Sequence, residues 1–231
     1  MRKVPFVAGE FYHVYNRGVD KRIIFSDQDD VNRFFQSMDE FNVIEPIGSI
    51  YENSFIKNKL GNETSKSDEK KLVNIIAYCL NPNHFHIILE QVEDGGISNF
   101  MKRLGGGYTK YYNKKEKRSG SLFQGVFKDA HIDSNEYLLY VSAYVNLNDR
   151  VHQLGNETSK LVKSRSSWAE YSDAISKENF CEKDIILGQF KNKEEYKKFA
   201  KSALESIIAG KLKSRAVEGY LIEPLGNETS K

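Results

Sequence analysis

Two histidines stand two positions apart, His84 and His86, in the run Asn81-Pro82-Asn83-His84-Phe85-His86-Ile87-Ile88-Leu89-Glu90. The neighbours are mostly β-branched, apolar or aromatic, and strand alternation sends both imidazoles out of one face, about 7 Å apart. Two such rings make two-thirds of a metal site. Tyr144 and Asn148 lie further along, four positions apart and so on one stripe of a helix. They offer a phenol and, as a third metal donor, an amide oxygen. A phenol with a pKa near 10 is a poor nucleophile at neutral pH. It can attack a phosphodiester when a metal draws charge from the non-bridging oxygens and orients the phosphorus. Between the two motifs, Lys102, Arg103, Lys110, Lys114, Lys115, Lys117, Arg118 and Lys128 face the single acid Glu116. Tyr108, Tyr111, Tyr112, Phe123 and Phe127 interleave with them. Cations with aromatic platforms suit single-stranded nucleic acid, although a solvated helix face followed by a basic loop has the same composition. Singly, each signal is weak: a strand His-x-His is more often packing, a helical tyrosine core or rim, and such an asparagine a helix C-cap. Joint occurrence gives them weight.

The elements that must position these groups are legible in the pattern. Val73–Cys79 and Phe85–Leu89 flank the turn-forming Leu80-Asn81-Pro82-Asn83, which predicts a β-hairpin. Glu10–Asn16 alternates as a strand broken by Asn16-Arg17-Gly18; its His13, a lone strand histidine, is read as structural. Val31, Phe34, Phe35, Met38, Phe41 and Ile44 predict a helix over 27–43 with Ser26 as N-cap. Phe100, Leu104, Tyr108 and Tyr111 keep helical spacing over 97–113, through Gly105-Gly106-Gly107. Each glycine costs about 1 kcal/mol against alanine there, which signals a kink or a close backbone approach. Neither GxGxxG nor a P-loop is present. Leu122–Ile132 reads as a strand, and Asp133 opens a helix with Glu136 as its capping-box partner. Leu138, Val141, Val145 and Leu147 give that helix an apolar face beside the stripe Tyr137, Tyr140, Tyr144, Asn148. Lys193–Lys213 reads as one amphipathic helix, and Trp168 is expected at the core edge.

Composition narrows the class. The 231 residues are 39% hydrophobic and 29% charged with a net charge of +2, as in a soluble globular protein. No apolar run approaches the roughly 20 residues of a membrane helix, and the N-terminus lacks a signal-peptide pattern. Cys79 and Cys181 share no CxxC spacing, so a reducing cytoplasmic location without disulfides is expected. The heptapeptide Leu-Gly-Asn-Glu-Thr-Ser-Lys occurs at 60–66, 154–160 and 225–231, each time where a loop or terminus is expected. These copies read as insertions in exposed loops and receive no function.

The ordered motifs Tyr12–Gly18 (YHVYNRG), Asn81–Glu90, Leu122–Lys128 (LFQGVFK), Tyr144–Asn148 (YVNLN) and Ser166–Tyr171 (SSWAEY) resemble those of the HUH single-tyrosine transposases. Within them the chain is most similar to the REP-associated branch. The resemblance covers residues 8–172 and implies an α+β fold, a ferredoxin-like antiparallel sheet with helices on one face. It implies a catalytic domain over 1–172, carrying a polar insert at about 46–70. A mostly helical extension with a disordered tail would follow over 173–231. By position it makes Tyr144 the nucleophile and His84, His86 and Asn148 the ligands of a divalent metal, Mg2+ or Mn2+. Single-stranded or hairpin DNA would be the partner, acted on by a monomer or homodimer. Residues 102–118, Lys128 and, more weakly, Arg17 would contact the DNA backbone. One departure is visible: Asp149 follows Asn148 where the family commonly has proline, so the helix can end differently and Asp149 can compete as a ligand.

Three rival readings come from other classes. A non-catalytic nucleic-acid-binding protein on the same sheet would form no covalent adduct. A metal-dependent phosphohydrolase using water would survive Tyr144→Phe. An RNA-binding module would prefer RNA over DNA of equal length.

Overall fold

A computed structural model describes residues 5–54, 70–151, 162–173 and 179–213. All three heptapeptide copies, and the expected disordered tail beyond 213, lie outside the described residues. The elements are β1 (Phe11–Arg17), α1 (Gln28–Glu40), β2 (Val73–Asn81), β3 (His84–Gln91), α2 (Gly96–Lys115), β4 (Lys128–Ile132), α3 (Asn135–Asn146), α4 (Asn148–Val151), β5 (Arg165–Ser166), α5 (Trp168–Ser172), α6 (Asp184–Leu187) and α7 (Lys193–Lys213).

The strands form one antiparallel sheet in the order β4-β1-β3-β2-β5. Its first four members have the order and connections of a ferredoxin-like sheet, and β5 extends the edge at β2. Pro82-Asn83 turns the central hairpin, so Asn81 pairs with His84 and Cys79 with His86. Alternation along β3 then divides the molecule. Phe85 packs on Phe34 of α1 with ring centroids 5.2 Å apart, and Phe34 meets Tyr108 of α2 at 4.9 Å. The two crossover helices therefore cover one face, as the ferredoxin-like expectation requires. His86 points the other way, where its ring meets Tyr144 of α3. The second face thus carries a helix of its own.

Local chemistry corrects several expected boundaries. The N-cap of α1 is Asp27, whose carboxylate accepts from the Asp30 amide at 3.0 Å; the Ser26 hydroxyl instead meets the Tyr112 hydroxyl at 2.8 Å. Ser134, not Asp133, caps α3, accepting from the Tyr137 amide at 3.3 Å. The strand expected over 122–132 forms only from Lys128, because Gly125 takes a φ of +72° that interrupts extended backbone. Helix α2 runs unbroken through its glycines, so the close-approach alternative holds: a Cβ on Gly107 would lie 2.7 Å from the Phe41 ring. Nothing lies within 4 Å of a Cβ placed on Gly105 or Gly106.

The C-terminal helix α7 lies against α3. The Tyr196 hydroxyl sits 3.1 Å from the Ser142 hydroxyl and accepts from Asn146 Nδ2 at 2.9 Å. Ser167, just before α5, donates to Asn146 Oδ1 at 2.6 Å. This buried polar cluster ties α3 to α7 and, through Ser167 bonded to Tyr78, to β2 of the sheet. Among the described residues, no helix is long and apolar enough to cross a membrane.

Candidate functional site

His84 is held by its own hairpin. Its Nδ1 lies 2.6 Å from Asn83 Oδ1, and a carbonyl oxygen can only accept, so Nδ1 carries the proton and Nε2 presents a lone pair. That Nε2 lies 3.2 Å from Asn148 Oδ1, a second lone-pair atom. Two acceptors at that separation repel unless a donor or cation joins them. Here Asn81 Nδ2 does so, donating to Asn148 Oδ1 at 2.8 Å and to His84 Nε2 at 3.0 Å. The donor set therefore fits a divalent cation: a neutral imidazole and an amide oxygen already converge, and both are buried.

His86 lies one strand step away on the same face, its ring 5.2 Å from that of His84. Its Nδ1 meets His13 Nε2 at 2.9 Å. Burial pulls the His13 pKa down to about 3, leaving that ring neutral at pH 7. Tyr144 is 1% exposed and belongs to the buried core cluster, and its ring also meets two imidazoles. It stands edge-on to His86 at 5.5 Å and to His13 at 5.8 Å. Helix α3 ends at Asn146 and Leu147 caps it, so Asn148 begins the short α4 instead of continuing the tyrosine helix. The pair still reaches one site because the chain turns back toward β2 there. Asp149 does not join the cluster: no group of three His, Cys, Asp or Glu side chains suited to a metal occurs among the described residues. Burial raises its carboxyl pKa.

The predicted cations separate into distinct roles. Lys128 and Arg17 flank the site on its own face, since Lys128 pairs across β1 with Tyr15, and Arg17 pairs with His84. The Tyr15 ring stacks on His86 at 5.6 Å and lies 6.0 Å from Lys128 Nζ. A groove of about 1400 Å³ runs between α2 and residues 118–129 and reaches Tyr15; Lys102, Lys110, Arg118 and Lys128 line it. Lys114 and Lys117 are exposed and lie outside that lining. Two of the expected DNA contacts are engaged within the fold. Arg103 donates to the carbonyls of Val43 and Ile44. Lys115 bridges Asp27 at 2.6 Å and the fully buried Asp30 at 2.7 Å.

Two further residues stand against these side chains: His13, expected from the sequence to be structural, and Asn81, expected in a turn. Both are polar residues on strands, and the only signal was strand parity, which means nothing until the partner strand and register are known.

Residues 48–148 match the family described as IS200-like transposase. No curated protein matches the chain. Among solved structures, a REP-associated tyrosine transposase bound to a REP hairpin aligns at 12% identity with a TM-score of 0.44, covering 66% of this chain and 73% of that one. The matched segment spans the histidine pair, the glycine helix, the tyrosine helix and, as its last residue, Asn148.

Proposed function

We propose that this protein cleaves and rejoins single-stranded DNA through a covalent bond to Tyr144. The observation that carries the reading is the meeting, within one chain, of the Tyr144 ring and the His86 imidazole, beside a His84–Asn148 pair 3.2 Å apart. Tyr144 Oη attacks phosphorus in line, the bond to the 3′ oxygen breaks, the phenolic proton leaves and the 3′ oxygen takes one up. The products are a 5′-phosphotyrosine and a free 3′-hydroxyl. Attack by another 3′-hydroxyl reverses the step and rejoins strands without external energy, since the phosphodiester bond energy is kept in the tyrosine ester.

His84, His86 and Asn148 would hold Mg2+ or Mn2+, and the two nitrogen donors favour manganese. Bound there, the cation supplies charge withdrawal from the non-bridging phosphate oxygens. Neutral ligands support this, because they add no negative charge against an anionic substrate. The groove with Lys102, Lys110, Arg118 and Lys128 would carry the DNA backbone to the site, with Tyr15 at its end, and Arg17, paired with His84, would add a cation beside it. The family resemblance adds a hairpin next to the cleaved strand. One copy suffices for such a site.

The test is covalent trapping. A labelled single-stranded oligonucleotide with a flanking hairpin, incubated with the protein and Mn2+, should leave a denaturation-resistant adduct that Tyr144→Phe abolishes. Cleavage surviving in that variant would overturn the proposal in favour of water as nucleophile.

A further inference from the structure

We infer that His13 is a positioning residue for His86, holding that imidazole as its Nδ1–H tautomer so that Nε2 remains the lone-pair nitrogen. The inference rests on the metal-assisted reading and adds a residue that reading does not use. On β1, His13 pairs with Ile88 of β3, while His86 pairs with Tyr15, so the two histidines occupy diagonal positions on one face. Diagonal neighbours are about 7–8 Å apart at Cα, which is within reach of two rings. The rings meet with centroids 5.0 Å apart, planes at 22° and the two nitrogens 2.9 Å apart. His13 is 4% and His86 1% exposed, so water has little access to the contact.

Of two imidazole nitrogens at that distance, one must carry the hydrogen. If His13 donated, His86 would hold its own proton on Nε2 and have no lone pair there for a cation. If His86 donates, Nε2 is available. His84 has the same requirement and meets it with the Asn83 oxygen, an acceptor by chemistry. At His86 Nδ1 the partner is a second imidazole whose plane is itself fixed. Tyr15 lies 5.2 Å from His13 at 31°, and Tyr144 stands edge-on to it at 82°. The same two tyrosines contact His86. His13 thereby ties the ligand ring to the nucleophile ring and sets both the proton position on His86 and the relative placement of Tyr144. An outer partner that fixes a ligand histidine is a recurrent requirement of metal sites.

The test uses the full chain labelled with 15N-histidine, without metal, and long-range proton–nitrogen spectra that report the His86 tautomer. Wild type should show the Nδ1–H form. His13→Gln puts an acceptor-only amide oxygen within reach and should keep that form. His13→Phe preserves ring packing without an acceptor and should lose it. Mn2+ titration followed by electron paramagnetic resonance should show affinity falling about tenfold or more in His13→Phe, with His13→Gln close to wild type. An Nε2–H His86 in wild type overturns the inference, as does unchanged tautomer and Mn2+ affinity in His13→Phe. Equal loss in both variants would mark His13 as packing alone. Should wild type bind no Mn2+, the metal reading fails by itself, and the tautomer spectra still decide the role of His13. Should His13→Phe not fold, the wild-type and His13→Gln spectra decide it.

Discussion

The ring of Tyr144 stands edge-on to the imidazole of His86, planes at 80° and centroids 5.5 Å apart, with both residues on one polypeptide. The proposed nucleophile and the proposed ligand therefore meet within one chain. Mixing Tyr144→Phe with His86→Ala should give no more trapped adduct than either variant alone. Recovery of adduct in the mixture would show that the tyrosine works in a partner's site.

Removing one member of the converging pair should separate metal binding from folding. His84→Ala or Asn148→Ala should weaken Mn2+ binding at least as much as the roughly 10–100-fold loss typical of outer-shell changes, and chelation should abolish adduct formation in wild type. Calorimetric Mn2+ titration and trapping with a chelator check both.

The glycine triplet divides into one structural and two unconstrained positions. Gly107→Ala should destabilise the fold by about 1–3 kcal/mol, because its Cβ would meet the Phe41 ring at 2.7 Å. Gly105→Ala and Gly106→Ala should each stabilise it by up to about 1 kcal/mol, since the space is open and alanine favours helix. Both positions line the groove, so the same two changes should weaken binding if DNA lies against the helix backbone. Thermal melts and oligonucleotide titrations give the two readouts.

Lysines of similar appearance on α2 should behave differently. Lys115→Met leaves the buried Asp30 carboxylate without its cation and should cost about 1–3 kcal/mol. Lys102→Met and Lys110→Met should leave stability nearly unchanged. Each should lower the slope of log affinity against log salt for DNA by about one. Denaturant unfolding and salt-dependent binding distinguish the two groups.

Tyr196→Phe tests the clamp on the tyrosine helix. The change removes the hydroxyl that accepts from Asn146 Nδ2, leaving a buried donor unpaired, and should cost about 1–3 kcal/mol. Urea unfolding measures it.

What the sequence determined by itself was local. Alternation puts His84 and His86 on one face whatever lies opposite, and helical spacing defines α1, α2, α3 and α7 to within a few residues. The motif order even carried the ferredoxin-like strand order, because the resemblance supplied connections that periodicity lacks. Periodicity does not choose between adjacent caps of nearly equal chemistry, Ser26 against Asp27 and Asp133 against Ser134. Tertiary structure decided what depends on register and on distant partners. Strand pairing brought His13 to His86, the central hairpin set Asn81 beside His84, and the turn after Leu147 brought Asn148 to both. Packing of α1 against α2 drew Lys115 to Asp30 and away from the groove. Strand parity and helix period are properties of one segment, whereas a hydrogen bond between residues 13 and 86 exists only once two strands have chosen each other.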